Sequence, residues 1–86
     1  MKTNILLLLI NERKQQAPTV QKVLTEWGCL IKTRLGLHSG ILDDCTNTGL
    51  IFLELVGEKD KHDEMARKLN LLEGVSAKLV ELELKD

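Results

Sequence analysis

The sequence predicts an α+β fold, a ferredoxin-like βαββαβ sandwich in which two helices cover one face of a four-stranded antiparallel sheet. A chain of 86 residues has room for one domain, residues 1–86. Hydrophobic periodicity divides it into strand, helix and strand, twice over. The first and third predicted strands are apolar on both faces, whereas the second and fourth are half polar. A sheet in spatial order 4-1-3-2 places the two apolar strands in the centre, so pattern and topology agree.

In the first half of the chain, a buried strand is predicted over residues 3–10 and a polar loop over 11–16. A helix is predicted over 17–27. Pro18 suits its first turn, where the missing N–H costs nothing, and Gly28 suits a left-handed exit. The side chains at helical spacing, expected to form the buried stripe, are Ala17, Val20, Val23, Leu24 and Trp27.

The second predicted strand, residues 30–38, alternates between apolar and polar side chains, which is typical of an edge strand. We expect one of its faces to carry Ile31, Thr33, Leu35 and Leu37. Residues 39–48 form a long connection rich in turn residues. The third strand is predicted over 49–56, with only Glu54 interrupting its apolar run.

A second helix is predicted over residues 60–72, capped by Asp60. Its expected buried stripe comprises Met65, Ala66, Leu69 and Leu72. Gly74 ends the turn after this helix, and the last strand is predicted over 75–84. His62, in the first turn, is expected to face solvent.

Composition excludes several classes of function. Twelve basic and thirteen acidic residues leave a net charge of −1, which provides no strong field for nucleic acid or a membrane surface. The aromatic residues, Trp27 and Phe52, are too few for base stacking. The N-terminal apolar run is too short for a signal peptide or a membrane span. We therefore expect a cytoplasmic protein whose cysteines, Cys29 and Cys45, are reduced.

The residues also argue against most chemistries found on this fold. An iron–sulfur cluster needs four thiolates, and the chain has two cysteines without a CxxC spacing. Arg13 has no glycines around it that could form a phosphate cradle. Paired carboxylates and nucleophile–base spacings are lacking. The sequence therefore predicts no catalytic residue and no cofactor, and indicates a protein that is not an enzyme.

Two alternatives remain open. His38, at the end of the second strand, and Cys45, in the following connection, could converge on a metal ion, with Asp43 or Asp44 adding oxygen. This arrangement would make the protein a metal-responsive module. Alternatively, a small enzyme could have its site in the 39–48 connection.

Apolar residues in the central strands predict self-association. Two helices cover one sheet face, so about three large side chains from each central strand must lie on the other face. Cations on the edge strands disfavour open-ended edge pairing and favour a closed assembly. We expect a homodimer or higher homo-oligomer whose interface includes Leu50, Phe52 and Val56.

Two short motifs carry a resemblance to a known family: Arg-Leu-Gly at 34–36 and Leu-Glu-Gly-Val at 72–75. With the apolar run 49–55, they make residues 30–82 similar to the ACT-like proteins described as iron-only hydrogenase system regulators. The fold is also similar to the C-terminal domain of nickel-responsive repressors. Those repressors carry His-x-His on the second strand, whereas this chain has Gly36-Leu37-His38 and lacks the first ligand.

The resemblance implies a regulatory module that binds a small ligand near the first strand–helix loop or at a subunit interface. It places this ligand at Asn11, Glu12 and Arg13. Free N–H groups at a helix start, together with Arg13, favour a carboxylate or an amino acid. No direct contact with nucleic acid is implied.

Overall fold

The computed structural model describes residues 1–11, 13–38 and 49–85; for residues 13–17, 37 and 38 it describes the backbone alone. The chain alternates strands and helices in the order βαββαβ. Its elements are β1 (Lys2–Ile10), α1 (Arg13–Glu26), a 3₁₀ turn (Gly28–Leu30), β2 (Ile31–His38), β3 (Gly49–Leu55), α2 (Lys59–Asn70) and β4 (Val75–Glu83).

The four strands form one antiparallel sheet in the order β2-β3-β1-β4. The apolar strands β1 and β3 lie in the centre of the sheet, and the half-polar strands β2 and β4 lie at its edges. The predicted ferredoxin-like α+β fold is therefore confirmed. Asn70 ties α2 to an edge strand, since its side-chain amide donates to the Ala77 carbonyl at 2.8 Å and accepts from the Ala77 N–H at 2.7 Å.

The core lies between the sheet and the helices. Alternate residues of β1 and β3 point into it, as the two-residue period of a strand requires. Both helices contribute one apolar stripe. The buried apolar side chains are Leu6, Leu8, Ile10, Val20, Leu24, Ile51, Leu53, Leu55, Met65 and Leu69.

Helix α1 differs from its prediction at both ends. It begins at Arg13 rather than Ala17, because a polar first turn leaves no mark on hydrophobic periodicity. Pro18 is consequently the sixth helical residue and removes one backbone hydrogen bond within the helix. Gly28 does not adopt a left-handed conformation; the chain passes directly from α1 into the 3₁₀ turn.

Strand β2 carries a bulge that changes its phase. Ile31 lies opposite Leu55, but Thr33 lies opposite Glu54, so one extra residue is inserted between the two pairs. Ile31 therefore packs against the core while Thr33 and Leu35 lie on the other face. The prediction that all of these share one face was wrong, because strict alternation cannot reveal a bulge.

Helix α2 also starts differently from its prediction. Glu58 is the N-cap residue and makes no side-chain capping bond, and Asp60 lies inside the first turn. Asp60 therefore does not cap the helix, although a carboxylate there still favours the positive helix end. Left-handed glycines flank α2, Gly57 at φ +93° and Gly74 at φ +75°.

Candidate functional site

A cleft of about 300 Å³ opens beside the end of β1 and the start of β4. It is called the Asn11 cleft here and is lined by Leu9, Asn11, Gly74, Val75 and Ser76. The backbone N–H of Asn11 donates to the Gly74 carbonyl at 2.7 Å, which holds the two walls together. The lining offers amide, hydroxyl and backbone groups beside apolar carbon.

Glycine at position 74 permits this close approach. A Cβ added there would lie 3.3 Å from the Asn11 carbonyl oxygen, and the positive φ would strain any other residue. Helix α1 begins two residues after Asn11, and the first N–H groups of a helix have no partner within it. These N–H groups carry the positive end of the helix dipole, which favours an anion.

The structure describes the three predicted ligand-binding residues to different extents. Asn11 lines the cleft, as stated above. Arg13 is the first residue of α1 rather than part of a loop, and its backbone alone is described. Glu12 lies outside the described residues. Binding at these three positions stays a prediction.

His62 is buried, with 1% of its surface exposed, contrary to the prediction that it faces solvent. Its ring Nε2–H donates to the Val56 carbonyl at 2.7 Å. Because a carbonyl can only accept, Nε2 carries the hydrogen, and Nδ1 accepts from the side-chain amide of Asn4 at 2.9 Å. These two bonds fix the tautomer of the ring.

Sequence reasoning missed the hydrogen bonds between Asn4, His62 and Val56, because histidine and asparagine are usually expected on the surface. The available signal was spacing: His62, Met65 and Leu69 repeat at helical intervals, and all three are buried. The Oδ1 atom of Asn4 is itself buried without a hydrogen-bond partner.

A second cleft of about 320 Å³ lies over this network and includes Lys2, Lys32 and Glu54 in its rim. Its charges are already matched: Lys32 Nζ lies 3.8 Å from Glu54 Oε2, and Lys2 Nζ lies 3.7 Å from Glu83 Oε2. Such exposed pairs contribute little to stability. Free charge is therefore scarce in this cleft.

The predicted metal pair lies outside what the structure describes, since Cys45 falls in residues 39–48 and the side chain of His38 is not described. Among the described residues, no group of three or more His, Cys, Asp and Glu side chains could hold a metal ion. Cys29 is exposed and free. The metal hypothesis for His38 and Cys45 stays a prediction.

The sheet side opposite the helices, called the open face here, is apolar and is not covered by any described element. Its apolar side chains are half-buried or exposed: Ile5, Leu7, Leu9, Leu35, Leu50, Phe52, Val80 and Leu82. Of the predicted interface residues, Leu50 and Phe52 lie on this face. Val56 follows the end of β3 and is 42% exposed.

Neither described helix combines the length and the apolar character needed to cross a membrane. No protein-family model and no curated protein sequence matches the chain.

Solved structures resemble this fold over nearly its whole length. The uncharacterized protein TM1266 from Thermotoga maritima is 26% identical, with a TM-score of 0.80, over 96% of this chain and 100% of that one. A PII-like signaling protein from Thermus thermophilus (TTHA0516) is 11% identical, with a TM-score of 0.66, over 95% of this chain and 88% of that one.

A third similar structure is CPII, a nitrogen regulatory PII-like protein from Thiomonas intermedia K12, which was solved bound to ADP, AMP and bicarbonate. It is 8% identical, with a TM-score of 0.61, over 100% of this chain and 96% of that one. At 8–11% identity, the two PII-like structures establish the shared fold.

Proposed function

We propose that this chain is a small, non-enzymatic regulatory module that binds a small carboxylate or amino acid in the Asn11 cleft. The observation that carries the proposal is the position of the cleft, which opens where β1 leads into α1. The resemblance to ACT-like regulators implies a ligand at this loop, and the cleft provides a volume of about 300 Å³ there.

The chemistry of the cleft supports an anionic ligand. Helix α1 starts two residues beyond Asn11, so its positive dipole end follows Asn11 closely in the chain. Among the described residues that line the cleft, none carries a carboxylate that would repel an anion. Amide and hydroxyl groups of Asn11 and Ser76 supply hydrogen bonds that orient a ligand.

The similar structures support a signaling role. Two of them are PII-like signaling proteins, and CPII was solved with ADP, AMP and bicarbonate. Bicarbonate and the phosphate groups of the nucleotides are anions, so they belong in the same ligand screen. Following the sequence resemblance, we propose the iron-only hydrogenase system as the regulated target. The genes adjacent to the gene of this protein test the proposal, because they should include components of that system.

Two other hypotheses have different tests. A metal-responsive module would use His38 and Cys45, and elemental analysis of the purified protein would detect its metal. A small enzyme would have its site in residues 39–48. Its turnover of a substrate would not require the residues that line the Asn11 cleft. Neither hypothesis depends on the Asn11 cleft.

A thermal-shift screen with amino acids, small carboxylates, bicarbonate, ADP and AMP at millimolar concentration tests the proposal. A ligand at ten times its Kd stabilises the folded state by about 1.4 kcal/mol. For a domain of this size, that raises the Tm by about 5–10 °C. No shift with any of these compounds would contradict the proposal.

Asn11→Asp gives the sharpest variant. A carboxylate before a helix start favours the helix dipole, so the free protein should keep its Tm, but it repels an anionic ligand. The ligand-induced shift should therefore disappear. Gln21→Glu is the matched control, because it adds the same charge on an exposed position of α1. Loss of the shift in both variants would mean that net charge, not the cleft, decides binding.

A further inference from the structure

The open face carries very little charge, and the position of that charge is informative. Glu54 on β3 lies directly opposite Ile5, and Lys78 on β4 lies directly opposite Leu7. Strand β1 therefore separates an acidic from a basic side chain. Lys32 contacts the same carboxylate from the β2 edge.

These two side chains do not form an ion pair within one copy. Across the sheet they are two strand spacings apart, and along the strands they are two residues apart. Together these offsets place their Cα atoms about 12 Å from each other. Side chains on a sheet face point away from it, and the β1 side chains Ile5 and Leu7 lie between the two charges. Glu54 is held in place by Thr33, whose hydroxyl donates to Oε1 at 2.9 Å. A carboxylate can accept further hydrogen bonds beyond this one.

We propose that two copies of this chain pack their open faces together as a two-fold dimer, with Lys78 of each copy bonded to Glu54 of the other. The midpoint between these residues lies on β1, between Ile5 and Leu7. The proposed two-fold axis lies midway between the two facing sheets, runs parallel to them and passes over this midpoint. It is perpendicular to the line that joins Glu54 and Lys78. Such an axis exchanges their positions and forms the ion pair twice.

The dimensions of the interface fit this arrangement. Facing sheets pack about 10 Å apart, a gap that an extended lysine and a glutamate together span. Four strands of about seven residues give a flat area of roughly 450 Å² per copy. The accessible surface of protruding side chains exceeds this area, so the pair buries about 1,000 Å² or more in total, where specific interfaces begin.

A second copy also fits the chemistry of the face better than an unrelated partner does. Eight apolar side chains on one face exceed what monomers usually leave in contact with water. The same surface places Glu54 and Lys78 in positions that a two-fold axis exchanges, so these two charges are complementary to those of a second copy. The charge pair that specifies the dimer, Glu54 and Lys78, lies outside the lining of the Asn11 cleft, although Leu9 belongs to both surfaces.

Single charge reversals and their mixture test the dimer by light scattering between 1 and 100 μM. Wild type should show twice the chain mass of 9.7 kDa. Lys78→Glu and Glu54→Lys each place like charges together twice, and each should raise the dissociation constant at least tenfold. Mixing the two variants restores opposite charges at both positions, so the mixture should recover the dimer mass.

Matched controls reverse charge at exposed positions away from this face, Lys61→Glu on α2 and Glu81→Lys on the other side of β4. Both should keep the dimer mass. If Glu54→Lys fails to fold, the double variant Lys78→Glu with Glu54→Gln replaces it. The double variant removes the repulsion between the two carboxylates, so it should dimerise more tightly than Lys78→Glu alone. A wild-type mass of 9.7 kDa, reversals without effect, or no recovery in the mixture and the double variant would overturn the proposal.

Discussion

Replacing His62 with alanine should remove much of the stability of the fold. The ring is 1% exposed and uses both nitrogens in hydrogen bonds. Its loss leaves the Val56 carbonyl and the Asn4 amide without partners, at about 1–3 kcal/mol each, and empties the volume of the ring. We expect a total of about 3–5 kcal/mol, against about 4–13 kcal/mol for the stability of a domain this size.

Asn4→Ala should behave differently, although it breaks the same hydrogen bond. Removing Asn4 leaves Nδ1 of His62 buried without a partner, at about 1–3 kcal/mol, but the Oδ1 atom of Asn4 is itself buried without a partner. Removing the side chain removes this unsatisfied acceptor as well. The two effects oppose each other, so the net change should stay within about 1 kcal/mol.

Urea unfolding followed by circular dichroism measures both changes, at one protein concentration because association alters apparent stability. Lys61→Ala, an exposed change in the same helix turn, should stay within about 0.5 kcal/mol of wild type. The reasoning fails if His62→Ala costs less than about 1 kcal/mol, or if Asn4→Ala is as destabilising as His62→Ala.

Three further substitutions test the fold. Gly57→Ala should lose about 1–2 kcal/mol in urea unfolding, because φ is +93° and the new Cβ would lie 2.7 Å from Leu30 Cδ2; unchanged stability would mean that the turn relaxes freely. Asn70→Ala breaks both side-chain bonds to Ala77, so amide exchange at Ala77 should accelerate about 5–30-fold, and unchanged protection would show that these bonds do not hold the edge strand. Leu53→Ala, in the centre of the core, should cost about 3–4 kcal/mol by the same urea assay, and a loss below about 2 kcal/mol would indicate a core that collapses around the gap.

The sheet order could be predicted from the sequence because strand position controls polarity. The central strands β1 and β3 pack one face against the helices and form the middle of the open face with the other, and they are apolar at nearly every position, whereas the edge strand β2 alternates. Buried positions of α1 such as Val20 and Leu24 follow from helical spacing for the same reason. Burial of apolar side chains is strong enough to leave this record in the order of residues.

The candidate site could be predicted only in part. Asn11 was expected at the strand–helix junction, and it lines the cleft there. Gly74 was expected only as the end of a helix turn, yet it forms the other wall. Its role depends on a contact between residues far apart in the chain, and local patterns carry no record of such a contact.

The sequence by itself determined which segments are strands and helices and which strands are central, because these features follow from local periodicity and burial. Only the tertiary structure decided the phase of β2, where the bulge before Thr33 turns Leu35 toward the open face. It also decided the burial of His62, which depends on partners at Asn4 and Val56. A polar side chain can be buried only where distant residues complete its hydrogen bonds, and folding alone brings those residues together.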